Sequence, residues 1–304
     1  LLLLIEQLLN GLQLGVMLFL MAAGLTLVFG IMNLINLAHG SLYMVGAYLA
    51  ATMTRLTGSF LAGLGAGMAG AALVGVGVEL LVLRRLYQRD HLDQVLATFG
   101  LIMFFNELTV VLWGRQPLFM DVPDALSATV ELVPGIVYPS YRIAIIGAGL
   151  VTAVALYLLV ERTRLGMQIR AGASNREMAG ALGINIERLY TLVFALGALL
   201  AGFAGAMAGP ILAVEAGMGE GILILTFVVI VIGGMGSIRG ALVGALLVGM
   251  VDSLGRAFLP PLFRAVLPLA QADGVAASVA SMSVYVLMAG VLLWRPRGLF
   301  AVHS

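Results

Sequence analysis

The residues of this chain that could do chemistry stand mostly where apolar side chains would be expected. Glu107 follows Asn106 inside an apolar run. A carboxylate held in lipid costs several kcal/mol unless it is paired or hydrated. Glu107 should therefore face a helix-bundle interior or a water-filled path, either contacting the ammonium group of a translocated solute or making a structural hydrogen bond. Asn33, Asn36 and His39 mark a turn between two apolar runs, placed at the inner membrane surface. With no charged neighbour, His39 reads as a hydrogen bonder that fixes the turn rather than as a proton carrier. Glu79 lies near the end of its run, from which it can snorkel and pair with Arg84 or Arg85. Asp252 and Arg256 are four residues apart, the spacing of a helical ion pair.

Other chemistry is excluded by residues the chain lacks. All 16 basic residues are arginine. Without lysine there is neither a Walker A phosphate loop nor a Schiff base. There is no cysteine, hence no disulfide, thiolate zinc site or thiol nucleophile. Three scattered histidines, His39, His91 and His303, do not suggest a metal centre. A net charge of +1 argues against nucleic acid as a partner.

The elements that must position these residues are long and oily. Of 304 residues, 62% are hydrophobic and 10% charged, against about 45–50% and 25% in soluble domains. Apolar runs predict helices over 9–32, 38–54, 60–83, 94–113, 142–160, 190–209, 221–235, 240–258 and 276–294. At about 20 residues per span, the fold class is all-α, a polytopic transmembrane bundle of eight or nine spans, taken as one domain over 1–304. The seventh run is short and enters Gly233-Gly234-Met235-Gly236, which fits a half-helix or re-entrant element. With the 161–189 loop inside, eleven arginines fall on the inner side and five on the outer, so the N-terminus is outside and the C-terminus cytoplasmic. Leu1–Glu6 carries no basic region or cleavage site, so it does not read as a removable signal peptide. The missing initiator Met suggests a start slightly inside the gene product.

Small-xxx-small pairs at Gly11/Gly15, Gly63/Gly67, Gly205/Gly209, Gly236/Gly240 and Gly240/Gly244 predict close helix contacts. The outer loop 114–141 is long and rich in proline. Acidic residues gather outside, at Asp121, Asp124, Glu131, Glu215, Glu220 and Asp273. They are ordinary solvated loop residues or a docking face for a soluble partner.

The cytoplasmic loop 161–189 carries the strongest local signal. Ser174 followed by Glu177 has the spacing of a capping box. Gly183 stands where a left-handed residue would stop the helix. A helix of about two turns from Asn175 to Leu182 results, and one so short needs something to pack on. Met178, Leu182 and a small face of Ala179, Gly180 and Ala181 suit a groove on another protein, or an internal lid.

Glu177-x-Ala179-x-x-x-Gly183 resembles the Glu-Ala-Ala-x-x-x-Gly core of the loop by which ABC-importer permeases engage their ATPases, with Met178 in place of the second Ala. Ile35–Tyr48, with Asn36-Leu37-Ala38-His39-Gly40 and Met44-Val45-Gly46-Ala47-Tyr48, is similar to a signature of branched-chain amino acid permeases. Arg295-Pro296-Arg297-Gly298-Leu299-Phe300 resembles their C-terminal motif, and Gly166–Ala171 and Gly183–Asn185 their inner loop. The chain is thus identified as a member of that permease family, of the H type. The resemblance implies a non-enzymatic permease in a bacterial inner membrane, forming half of a path for branched-chain or other hydrophobic amino acids. It also implies a second related permease subunit, two cytoplasmic ATPase subunits and a periplasmic or extracellular substrate-binding protein. ATP and Mg would be bound by the ATPases, with no cofactor in this chain. Ser174, Arg176, Glu177, Met178, Ala179, Gly180 and Gly183 become the coupling residues, and Asn36, His39, Asn106 and Glu107 candidates for the path or gate. Urea, amides or aromatic acids are alternative ligands within the family. An ion-coupled secondary transporter is a different class, for which Glu107 alone offers a relay.

Overall fold

In the computed structural model, residues 2–300 are described, and His303 lies outside them. The helices are α1 (Leu2–Met32), α2 (His39–Thr57), α3 (Phe60–Leu81), α4 (His91–Trp113), α5 (Ser140–Arg162), α6 (Arg164–Ser174), α7 (Arg176–Ala181), α8 (Ile186–Ala208), α9 (Met218–Gly233), α10 (Ile238–Arg264) and α11 (Leu269–Trp294). All nine predicted apolar runs are helices. Seven of these are long and apolar enough to cross a membrane. The other two are α9, with 16 residues, and α2, whose 19 residues include Ser41, Tyr43, Tyr48, Thr52 and Arg55. Most of α2 is buried. A helix sheathed by other helices meets little lipid and needs no lipid-like surface.

The outer segment departs from an all-helical reading. Thr129–Val133 (β1) and Ile136–Pro139 (β2) pair antiparallel. Pro134-Gly135 turns the hairpin, with Gly135 at φ 87°, as a type II turn requires. Tyr138 donates to Asn10 Oδ1 at 3.1 Å, and Arg142 to the same oxygen at 2.6 Å. Burial raises the pKa of the Tyr138 phenol, while Arg142 works against the rise.

The chain forms two compact units. Of the described residues, one holds 2–22, 124–150 and 225–300; the other holds 23–123 and 151–224. In the first, Gly11 and Gly15 of α1 meet α10 at the backbone of Gly249 and Ala245. Asp252 and Arg256 pair at 2.8 Å, as their spacing predicts. The C-terminal motif finishes α9: the Leu299 and Phe300 amides donate to the carbonyls of Ile232 and Gly233, both at 2.9 Å. That motif is structural, because it satisfies carbonyls that a helix end leaves open.

In the second unit α2, α3 and α8 meet through glycine. A Cβ on Gly46 would lie 2.4 Å from Gly202 Cα, and one on Gly67 2.6 Å from the Gly46 carbonyl. Helix α8 also serves as a ruler of depth. The Tyr190 hydroxyl, near its start, donates to the Ile31 carbonyl at 3.4 Å, so α1 ends level with the start of α8. Asn33 closes α1 in the left-handed region, at φ 51°. His39 instead lies against Gly24, which itself abuts Gly197 midway along α8. Residues 33–38 therefore climb back before α2 starts. The placement of His39 and Asn36 in an inner surface turn is corrected for His39, which opens α2 halfway up this unit.

Candidate functional site

Two places in the second unit gather the functional candidates. The first is the segment from Thr163 to Ile186. It is a pair of helices, α6 and α7, rather than the single short helix expected. The Thr163 hydroxyl caps α6 by accepting from the Gly166 amide at 3.1 Å. Ser174 belongs to the last turn of α6, and Asn175 caps α7, its Oδ1 accepting from the Met178 amide at 2.9 Å. The Ser174–Glu177 capping box is thereby corrected. Asn and Ser cap about equally well, and the one that leaves α6 its final residue leaves the other to cap. Glu177 stays exposed in the first turn of α7, where a negative charge suits the helix dipole.

The stop at Gly183 is as predicted. Its φ is 91°, its amide donates to Gly180 O at 3.0 Å, and the Ile184 amide to Ala179 O at 3.1 Å. These two bonds make a Schellman motif. Ala179 is buried, which corrects the exposed small face, while Arg176, Gly180 and Ala181 remain exposed. Met178 and Leu182 are 59% and 78% exposed. Helix α6 rests on α8, since a Cβ on Gly172 would lie 3.1 Å from Leu189 Cδ2.

Directly behind this segment lies a polar cluster. Glu79 does not snorkel; it is fully buried. It receives hydrogen bonds from Tyr87 at 2.7 Å and Thr191 at 2.9 Å, and pairs with Arg84 at 3.3 Å. Arg84 also reaches Thr191 at 2.9 Å and Glu187 at 3.6 Å. Burial first, then the Glu79 carboxylate, push the Tyr87 phenol far above its ordinary pKa. The cluster pins the end of α3 to the first turns of α8.

The second place is a narrow recess where α2, α4 and α9 meet, too tight to admit a water molecule. Its polar lining is Ser41, Asn106 and Glu220, with the backbones of Gly40 and Gly219. Asn106 donates to Glu220 Oε1 at 2.6 Å. Glu220 is thus no ordinary loop residue; it lies in the first turn of α9. Ser41, 65 residues before Asn106, and Glu220, 114 after it, carry no signal that separate sequence windows would link. The glycines flanking Glu220, at 217, 219 and 221, are the one local hint of a close approach. Asn36 fixes the entry to α2, its Oδ1 accepting from the Ala38 amide at 3.1 Å. His39 is fully buried. Neither lines the recess.

Glu107 is exposed. Of the two expected surroundings, a bundle interior or a water-filled path, it does not lie in the interior of its own helix bundle. The packed stripe of α4 is Gln94, Thr98, Ile102, Phe105 and Thr109. Glu107, two residues past Phe105, falls on the opposite side of a helix with 3.6 residues per turn.

Helices long and apolar enough to cross a membrane, a narrow polar recess and a capped helix pair describe a polytopic membrane protein. The sequence profile of the family "Branched-chain amino acid transport system / permease component" matches residues 7–293, and the chain belongs to that family. It is 29% identical to the high-affinity branched-chain amino acid transport system permease protein BraD of Pseudomonas aeruginosa, over 97% of this chain and 95% of the relative. Identity to the corresponding permease protein LivH of Escherichia coli is 28%, over 88% and 90%. A probable LivH of Methanocaldococcus jannaschii is 30% identical over 81% and 79%. No solved structure matches.

Proposed function

We propose that this chain is a single permease domain forming half of the path of an ATP-driven importer for branched-chain or other hydrophobic amino acids. Its companions are a second related permease, two cytoplasmic ATPases that bind ATP and Mg, and a soluble protein that delivers the ligand from outside. The chain sits in a bacterial inner membrane with its N-terminus outside and its C-terminus in the cytoplasm, an orientation supported by the arginine asymmetry.

The observation that carries this reading is the α6–α7 pair. A six-residue helix has no stability of its own, yet α7 is capped at both ends and leaves Met178 and Leu182 bare. Apolar side chains on a braced, exposed helix suit a groove on a partner. The Glu79 cluster then gives a stiff route from this handle into α3 and α8. Ser174, Arg176, Glu177, Met178, Ala179, Gly180 and Gly183 form or support the handle, and Asn36, His39, Asn106 and Glu107 remain path or gate candidates.

The test is ATP-driven uptake by the assembled transporter in proteoliposomes. Glu177→Ala and Gly183→Pro should lower uptake at least tenfold while ATP hydrolysis continues. Proline cannot adopt the positive φ at Gly183. Normal uptake by both variants would remove the coupling role.

A further inference from the structure

We propose that the recess between α2, α4 and α9 is a transit site for a zwitterionic α-amino acid, with Glu220 as its ammonium ligand and the amides of Gly40 and Gly219 as its carboxylate ligands. The inference rests on the proposed function and adds the residues that would hold the solute.

Two helix starts converge here. Gly40 is the second residue of α2 and Gly219 the second of α9. They cross in backbone contact: a Cβ on Gly40 would lie 2.4 Å from the Gly219 carbonyl oxygen. Both glycines line the recess. Among the described residues neither amide donates to an acceptor, although their neighbours His39, Ser41, Met218 and Glu220 all do. Buried amides without a partner are uncommon. Two of them at positive helix ends form a seat for an anionic group.

A second observation is independent of the helix ends. Ser41 lines the same recess and is 4% exposed, and its hydroxyl makes no hydrogen bond among the described residues. Its hydroxyl is not sealed in the core; it is a donor and acceptor left open to the recess at the mouth of the seat.

Glu220 supplies the opposite charge. Its Oε1 takes a neutral donor, the Asn106 amide, and no described donor reaches Oε2. An ammonium group would replace that amide with a charged and stronger partner. Leu37, Ile102 and Leu223 make the remaining wall apolar, as an aliphatic side chain requires. Acid, amides and oil therefore sit on three sides of one small space. The recess as it stands is too tight to admit a water molecule, far below the usual size of a small-ligand cleft, so it is a closed form, latched by Asn106 on Glu220.

The experiment uses the whole transporter in proteoliposomes with radiolabelled leucine as the probe. Glu220→Gln should cut uptake about tenfold or more, with Glu220→Asp recovering part of it. Ser41→Cys gives this chain its only thiol, because the sequence has no cysteine. Leucine should slow methanethiosulfonate labelling of that thiol at least threefold, and 4-methylpentanoate, which lacks the ammonium group, should not. Uptake by Glu220→Gln within twofold of wild type, or labelling indifferent to leucine, overturns the site while the permease reading stands. A wild-type transporter that moves urea or acetamide but no leucine overturns the amino-acid reading itself, and the site with it.

Discussion

The α6–α7 segment and the α2–α4–α9 recess are built in opposite ways. In the segment the contacts that start and stop the helices close within a few residues: Thr163 to Gly166, Asn175 to Met178, Gly183 to Gly180. In the recess Asn106 and Glu220 are 114 residues apart, and Gly40 and Gly219 meet across a still longer stretch of chain. The segment can form its caps before anything docks on it. The recess exists only when three helices have packed. The first suits a part that must keep its shape while transmitting motion, and the second a part that can open when its helices shift.

The contrast can be broken most severely at the glycine crossing. Gly219→Val places branched carbons where even a Cβ would overlap the Gly40 backbone. Overpacking of flexible contacts costs about 1–3 kcal/mol, and two opposed backbones cannot yield as side chains do. The folded fraction recovered in detergent should collapse, whereas Gly183→Ala, with open space around it, should still fold.

Next in size is Glu79→Ala. It strips Tyr87, Thr191 and Arg84 of a shared acceptor, and breaking a buried ionic network costs about 3 kcal/mol or more. A lowered melting temperature of the purified chain is expected, with Glu79→Gln recovering part of it by keeping one acceptor. Equal melting of Glu79→Ala and wild type would show that α3 and α8 need no polar clamp.

The smallest effect sharpens the local side. Asn175→Ala should destabilise α7 by about 1 kcal/mol, whereas Ser174→Ala should stay within about 0.5 kcal/mol. Protease cleavage at the α6–α7 junction would read the difference. The reverse order would restore Ser174 as the cap.

Legibility followed the range of the interaction. The Gly183 stop was readable because a positive φ excludes most residues at that point. The adjacent Ser174 and Asn175 both satisfy the cap rule, so sequence alone could not choose between them; the end of α6 chose. Val130–Val133 and Ile136–Tyr138 are two short runs rich in strand-forming residues around Pro134-Gly135, a hairpin signal masked by the oily helices on either side. Glu107 and Glu220 exchanged prominence for a different reason. Hydropathy sees that Glu107 interrupts an apolar run, but not which side of α4 packs.

Residue types and their local spacing fix a bundle of apolar helices, the ends of most of them, and the stop of the exposed handle, because burial in lipid and helix capping act within a turn or a span. Helix packing alone makes α2 begin halfway along its neighbour, buries Glu79 and brings Ser41, Asn106 and Glu220 to one recess. Those facts depend on which helix faces meet, and backbone contact at Gly40, Gly46, Gly202 and Gly219 fixes the faces through close approach rather than through any pattern a single helix carries.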